Sequence, residues 1–194
     1  MRNKGVLFVI SGPSGVGKGT IVKELLKRDE SIVVSISATT RQPRETDVDG
    51  KDYFFITDEK FKSMIENGEF LEYAEYVSSS YGTPKATVLS WLYEGKTVIL
   101  EIETVGAFQI REKMPEAKLL FIMPPSIEVL VKRLTHADTG TRDNIDDRIQ
   151  KALDEIKKAP SYDYIVVNDD LERAVEETYK IIESVRKDYG SDDN

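Results

Sequence analysis

The chain has 194 residues, 40% hydrophobic and 32% charged, a size and balance that suit one globular domain with small insertions. Its net charge of -8 argues against broad contact with nucleic acid or an anionic membrane, although a small anionic ligand needs only a local basic pocket. The absence of cysteine excludes disulfide scaffolds and cysteine-based zinc sites, and the single histidine, His136, argues against a His-rich metal centre or a His-dependent triad.

In chain order, Val6–Ser11 reads as a short buried strand, followed by a glycine-rich turn and a helix from about Lys18 to Arg28. The apolar run at Val6–Ile10 is too short to span a membrane and lacks a signal-peptide layout, so the default expectation is a cytoplasmic protein. Ile32–Ile36 reads as a second buried strand, and the polar stretch Thr39–Gly50 as a long functional loop. Aromatic, β-rich runs at Tyr53–Ile56 and Phe70–Val77 flank an amphipathic helix, Asp58–Asn67. Helices near Ala86–Tyr93, Val105–Lys113 and Ser126–Leu134 then alternate with strands Thr97–Ile102 and Lys118–Met123. A polar stretch, His136–Asn144, precedes a charged helix Ile145–Lys158, strand Tyr164–Val167 and helix Leu171–Tyr189, with a frayed end from Gly190. Apolar strands alternating with helices predict an α/β fold whose parallel sheet is covered on both faces, with ligands beyond the C-terminal strand ends.

Gly12-Pro13-Ser14-Gly15-Val16-Gly17-Lys18 leaves the first strand and opens a helix, which is the G-x-x-x-x-G-K arrangement of a phosphate cradle. Its glycines let successive backbone N–H groups turn toward phosphate oxygens, the helix N-terminus adds its positive dipole end, and Lys18 reaches the outer phosphates. Gly19 follows Lys18, so the magnesium-facing hydroxyl, Thr20, falls one place late. Alone, this motif specifies nucleotide phosphate binding and no particular reaction.

The next segments are more specific. Ser37-Ala-Thr-Thr-Arg41-Gln-Pro-Arg44, Asp47-Val-Asp-Gly50-Lys-Asp-Tyr53, Glu69-Phe-Leu-Glu72 and Tyr81-Gly82-Thr83 closely resemble the monophosphate-binding segment of guanylate kinases, and the resemblance runs from Ser11 to Asn168. It implies a P-loop core (1–37, 85–134 and 149–190), a β-rich monophosphate-binding arm (38–84) and a small helical lid (135–148). It also implies ATP-dependent phosphorylation of GMP, and of dGMP, in purine nucleotide metabolism, with Mg²⁺ as cofactor. ATP and GMP are then the partners, without nucleic acid or membrane; a homo-oligomer is compatible with this reading.

Residue by residue, the resemblance implies that ATP meets Gly12 through Thr20 together with Asn168. GMP meets Arg41, Arg44, Tyr53 and Tyr81 through its phosphate, and Glu72, Ser37 and Thr83 through its base. Two arginines three residues apart suit a dianionic phosphate, and a buried carboxylate suits the N–H donors of guanine. Glu101 and Glu103, two residues apart at a strand end, share one face and are candidates for guanine contacts, Glu101 also for a water-mediated magnesium contact with Thr20. The family pattern has an Asp at position 103 and a glutamine at 105, where this chain has Glu103 and Val105. Arg133 and Arg148 match two of the family's three lid arginines; the third falls on Ala137, the neighbouring glycine on Asp138, with Arg142 close by. Catalysis would rest on Lys18, Arg41, Arg133 and Arg148. Asp169 and Asp170 offer an N-cap for the last helix. Two rivals remain open: a scaffold-type binding module of the same fold, which typically loses P-loop residues that this chain keeps, and a small-molecule kinase with another acceptor.

Overall fold

The computed structural model describes residues 5–76, 78–136 and 145–191. Strand β1 (Val6–Ser11) lies at the centre of a five-stranded parallel sheet, in the order β2 (Ile32–Val34), β7 (Thr97–Glu101), β1, β8 (Lys118–Met123) and β9 (Tyr164–Val167). Every residue of β1 is buried, because both faces of the sheet are covered. The two-residue period sorts its side chains. Val6, Phe8 and Ile10 pack with Ile99, Leu120, Ile122 and Val166 against helices α1 (Lys18–Arg28) and α7 (Leu171–Ser191). Leu7 and Val9 pack with Val98, Leu100, Leu119 and Phe121 against α3 (Lys85–Tyr93) and α4 (Thr104–Lys113). These runs without a polar face are what a doubly covered parallel sheet requires.

A second, four-stranded sheet stands beside the first, in the order β4 (Phe54–Phe55), β3 (Ala38–Thr39), β6 (Ser79–Pro84) and β5 (Phe70–Tyr76). Its own core is small: Ala38, Phe61 and Phe70 are buried, with Ile56, Met64 and Ile65 packed around them from α2 (Asp58–Glu66) and its approach. The remaining helices, α5 (Ile127–His136) and α6 (Ile145–Ile156), pack through Leu130, Leu134, Ala152 and Ile149.

The elements follow the sequence reading except at a few places. Ser79–Pro84 forms a strand although its polar, glycine- and proline-containing composition gives no strand signal; antiparallel pairing with β5 supplies the order. The strand expected at Ile32–Ile36 stops at Val34, after which Ser35 N–H still donates to Ile99 O and the chain crosses to the second sheet. Thr39, expected to open a loop, closes β3. Helix α6 ends at Ile156 rather than Lys158, passing into a single 3-10 turn at Ala159–Ser161. Helix α7 continues through Gly190 to Ser191. Asp170 caps it, accepting from Arg173 N–H at 2.9 Å. Ala137, Asp138 and Arg142 lie outside the described residues.

Candidate functional site

The glycine turn emerges from the C-terminal end of the central strand and feeds α1. Gly17, at the N-cap of α1, has φ of 98°, and a Cβ there would lie 2.5 Å from Asn168 Nδ2, so conformation and space both demand glycine. Asn168 Nδ2 donates to Val16 O at 2.8 Å, while Arg133 reaches Val16 O at 3.3 Å and Asn168 O at 3.1 Å. Both residues therefore brace the turn from beneath. Lys18 folds over it, its ammonium donating to Gly12 O at 2.6 Å and Pro13 O at 3.2 Å. Desolvation pulls the Lys18 pKa down, and Glu101, Glu155 and Glu103 oppose that shift. Thr20 is exposed in the first turn of α1, whereas the carboxylate of Glu101 lies beside Gly19.

A cavity of about 380 Å³ connects this turn to the second sheet. Gly12, Ser14 and Lys18 line one end; Ser37, Arg44, Tyr53, Glu72 and Tyr81 line the other, with Glu101, Glu103 and Arg148 between. The end at the second sheet is made by strand pairing. Glu72 stands opposite Thr83 and Ala74 opposite Tyr81, so one face of the β5–β6 pair turns toward the cavity. Thr83 Oγ1 donates to Glu72 Oε1 at 2.6 Å, and both residues are buried. Burial pushes the Glu72 carboxyl above its ordinary range, while the Thr83 hydrogen bonds and the charge of Lys113 pull it back. The Tyr53 and Tyr81 rings meet edge to face at 5.9 Å, and desolvation raises the Tyr53 phenol pKa.

The two arginines of the loop differ. Arg44 lines the cavity, whereas the Arg41 guanidinium pairs with Asp47 at 2.8 Å and lies over the Tyr53 and Phe55 rings at 5.4 and 5.5 Å. Asp47 also accepts from Arg44 N–H at 2.7 Å, so one carboxylate ties both arginine positions together. Pro13, Gly15, Val16, Gly17, Gly19, Thr20, Thr83, Arg133 and Asn168 do not line the cavity.

Helix α6 contributes residues that the sequence reading did not single out. Lys151, Ala152 and Glu155 line the cavity, and Lys151 pairs with Glu103 at 3.0 Å across 48 positions of sequence. Desolvation, reinforced by Glu155, pushes the Glu103 carboxyl up to about 7; desolvation brings Lys151 down to about 8. Arg148, one turn earlier on α6, faces the cavity and donates to Leu134 O at 3.4 Å. Charged residues every three or four positions look like a solvated face in sequence, so only packing places Lys151 and Glu155 at the cavity.

A glycine-rich cradle turn and a carboxylate-lined pocket open into a single cavity on the C-terminal side of a parallel sheet, the layout of a P-loop nucleotide kinase. The model of the guanylate kinase family matches residues 4–185. The chain is 51% identical over 181 residues to the guanylate kinase of Clostridioides difficile (strain 630), covering 93% of this chain and 88% of that one. It is 47% identical over 194 residues to the guanylate kinase of Caldanaerobacter subterraneus subsp. tengcongensis, covering 99% and 94%. The crystal structure of guanylate kinase from Anaplasma phagocytophilum superposes with a TM-score of 0.80 at 34% identity, covering 95% of this chain and 88% of that one. The chain belongs to the guanylate kinase family. No helix among the described residues is long and apolar enough to cross a membrane.

Proposed function

We propose that the chain transfers the γ-phosphoryl group of ATP to GMP, and to dGMP, giving ADP and the nucleoside diphosphate. The continuity of the cavity from Lys18 to Glu72 carries this reading, since donor and acceptor must meet without intervening water. On this reading 1–37, 85–134 and 149–190 form the core, 38–84 the monophosphate arm and 135–148 the lid.

ATP lies with its phosphates against the backbone N–H groups of Gly12 through Thr20, and Lys18 exchanges its present carbonyl partners for phosphate oxygens. GMP enters the arm, where Arg44, Tyr53, Tyr81 and Arg41, the last released from or shared with Asp47, bind its phosphate. Glu72, fixed by Thr83, accepts from the guanine N–H groups, with Ser37 and Glu103 beside the base. An oxygen of the GMP phosphate attacks the γ-phosphorus in line, and the bond to the ADP oxygen breaks. No general base is needed, because the acceptor phosphate is already ionised. Lys18 and Arg148, joined by Arg133 once it leaves its present carbonyl partners, stabilise the charge that spreads over the transferring group. Asn168 acts on ATP chiefly by holding the Val16 carbonyl.

Guanylate kinases use ATP with magnesium, and the residues present suit that ion. Among the described residues no group of three or more His, Cys, Asp or Glu forms a cage. Magnesium in kinases needs no cage, since one or two carboxylates and the substrate phosphates hold it with several waters. Glu101, beside Gly19 and Lys18, and Thr20 would hold it here. Bound there, the ion would neutralise charge on the outer phosphates.

An initial-rate assay with ATP and a panel of GMP, dGMP, AMP, CMP and UMP tests the proposal. GMP and dGMP should support ADP formation well above the others. No turnover with GMP above background would overturn the reaction; equal turnover with AMP would overturn the role of Glu72.

A further inference from the structure

Glu72 lies on β5, and the main chain on both sides of it is held from one stripe of helix α4. Gln109 makes two hydrogen bonds to Tyr73: its Oε1 accepts from Tyr73 N–H at 3.2 Å and its Nε2 donates to Tyr73 O at 2.8 Å. Lys113 Nζ donates to Leu71 O at 2.7 Å. Between these, a Cβ added at Gly106 would overlap Glu72 Oε2, so glycine leaves the space that the carboxylate occupies. Positions 106, 109 and 113 are three and four apart, one face of a helix, and they meet three consecutive residues of the strand. β5 is an outer strand of its sheet, so the Tyr73 amide has no strand partner on the α4 side and the Gln109 side chain takes that place.

We propose that Gly106, Gln109 and Lys113 form a clamp that positions Glu72 for guanine: Gln109 and Lys113 act through the strand as positioning residues, and Gly106 lines the cavity beside the carboxylate. Lys113 and Gln109 hold the peptide groups before and after Glu72, while Thr83 bonds one carboxylate oxygen and Gly106 leaves room for the other. The charge of Lys113 also favours the ionised carboxylate that guanine N–H donors require. The same contacts join the second sheet to the core beside Glu72. This inference rests on the reading of Glu72 as the guanine acceptor.

The test compares kcat/KM for GMP with that for IMP, which lacks the 2-amino donor, in wild type, Gly106→Ala, Gln109→Leu, Lys113→Met and Lys113→Arg. KM for ATP and amide exchange at Tyr73 are measured alongside. A carboxylate displaced by a fraction of an ångström should lower the preference for GMP over IMP by about tenfold or more, with KM for ATP changed less than about twofold. Lys113→Arg, which keeps a charged donor, should restore most of the preference lost in Lys113→Met. Gln109→Leu should speed exchange of the Tyr73 amide. Alanine is a better helix former than glycine, so Gly106→Ala should remain folded by circular dichroism; should it fail to fold, Gln109→Leu decides the matter. Folded variants that keep the GMP preference, or that raise KM for ATP as much as KM for GMP, would overturn the clamp. A wild type inactive on GMP would instead overturn the reaction, so the two failures are distinguishable.

Discussion

At the donor end of the cavity, the functional contacts run from side chains to main-chain carbonyls of the glycine turn: Lys18 to Gly12 and Pro13, Arg133 and Asn168 to Val16. At the acceptor end they run between side chains or around one side chain: Thr83 to Glu72, Asp47 to Arg41, Tyr53 against Tyr81. The donor end sits on the deepest strand of a large core, whereas the acceptor end rests on the small cluster of Ala38, Phe61 and Phe70. A backbone cradle recognises phosphate whatever is attached to it. A carboxylate in a side-chain setting can tell one base from another, because a mismatched partner leaves it buried and unpaired. On the proposed function, rate and base choice fall to opposite ends of one cavity.

The largest effect is expected at the donor end. Lys18→Ala should lower kcat by about 10³-fold with every acceptor while circular dichroism stays unchanged, since it removes a preorganised charge from the transferring phosphoryl. A fully active variant would break the comparison at once. Glu72→Gln comes next: kcat/KM for GMP should fall by about 10²-fold, mostly through KM, with KM for ATP nearly constant. A matching loss of ATP affinity would mean that the two ends are not separate.

The smallest effect concerns stability and lies away from both ends. Asp29 joins the end of α1 to α7, accepting from Arg186 at 2.6 Å and from Ser31. Desolvation opposes ionisation there, but Arg186 and Ser31 outweigh it and hold the carboxyl at about 2 against an ordinary 3.8. A depressed folded value gives stability that is complete above the unfolded value and disappears as pH falls through the folded one. Allowing for solvent screening, Asp29→Asn should cost about 1 kcal/mol at pH 7. Measured by Tm, the gap from wild type should narrow from about pH 4 toward pH 2, with kinetics unchanged.

The same contrast explains what could be read from sequence. The donor end is local: seven consecutive residues after an apolar run specify both the turn and its task, and the alternation of strands and helices follows from burial on two faces. The acceptor end is local only in part. Arg41, Arg44 and Tyr53 lie close together, but the face shared by Glu72 and Thr83 exists only once β6 pairs with β5, and β6 carries no strand signal of its own. Gly106, Gln109, Lys113 and Lys151 were invisible for a related reason. On a helix, a glycine, a glutamine and lysines at the polar positions resemble ordinary surface, and their roles depend on which strand docks there. The pairing of Arg41 with Asp47 likewise needed the folded loop, because a sequence shows a basic pair but not the acid that holds it.

Calorimetric titration of GMP and IMP into wild type, Lys18→Ala and Glu72→Gln tests the division of labour most directly. It predicts that Lys18→Ala keeps the wild-type preference for GMP over IMP and that Glu72→Gln loses it. A preference that survives in Glu72→Gln, or one that collapses in Lys18→Ala, would contradict it.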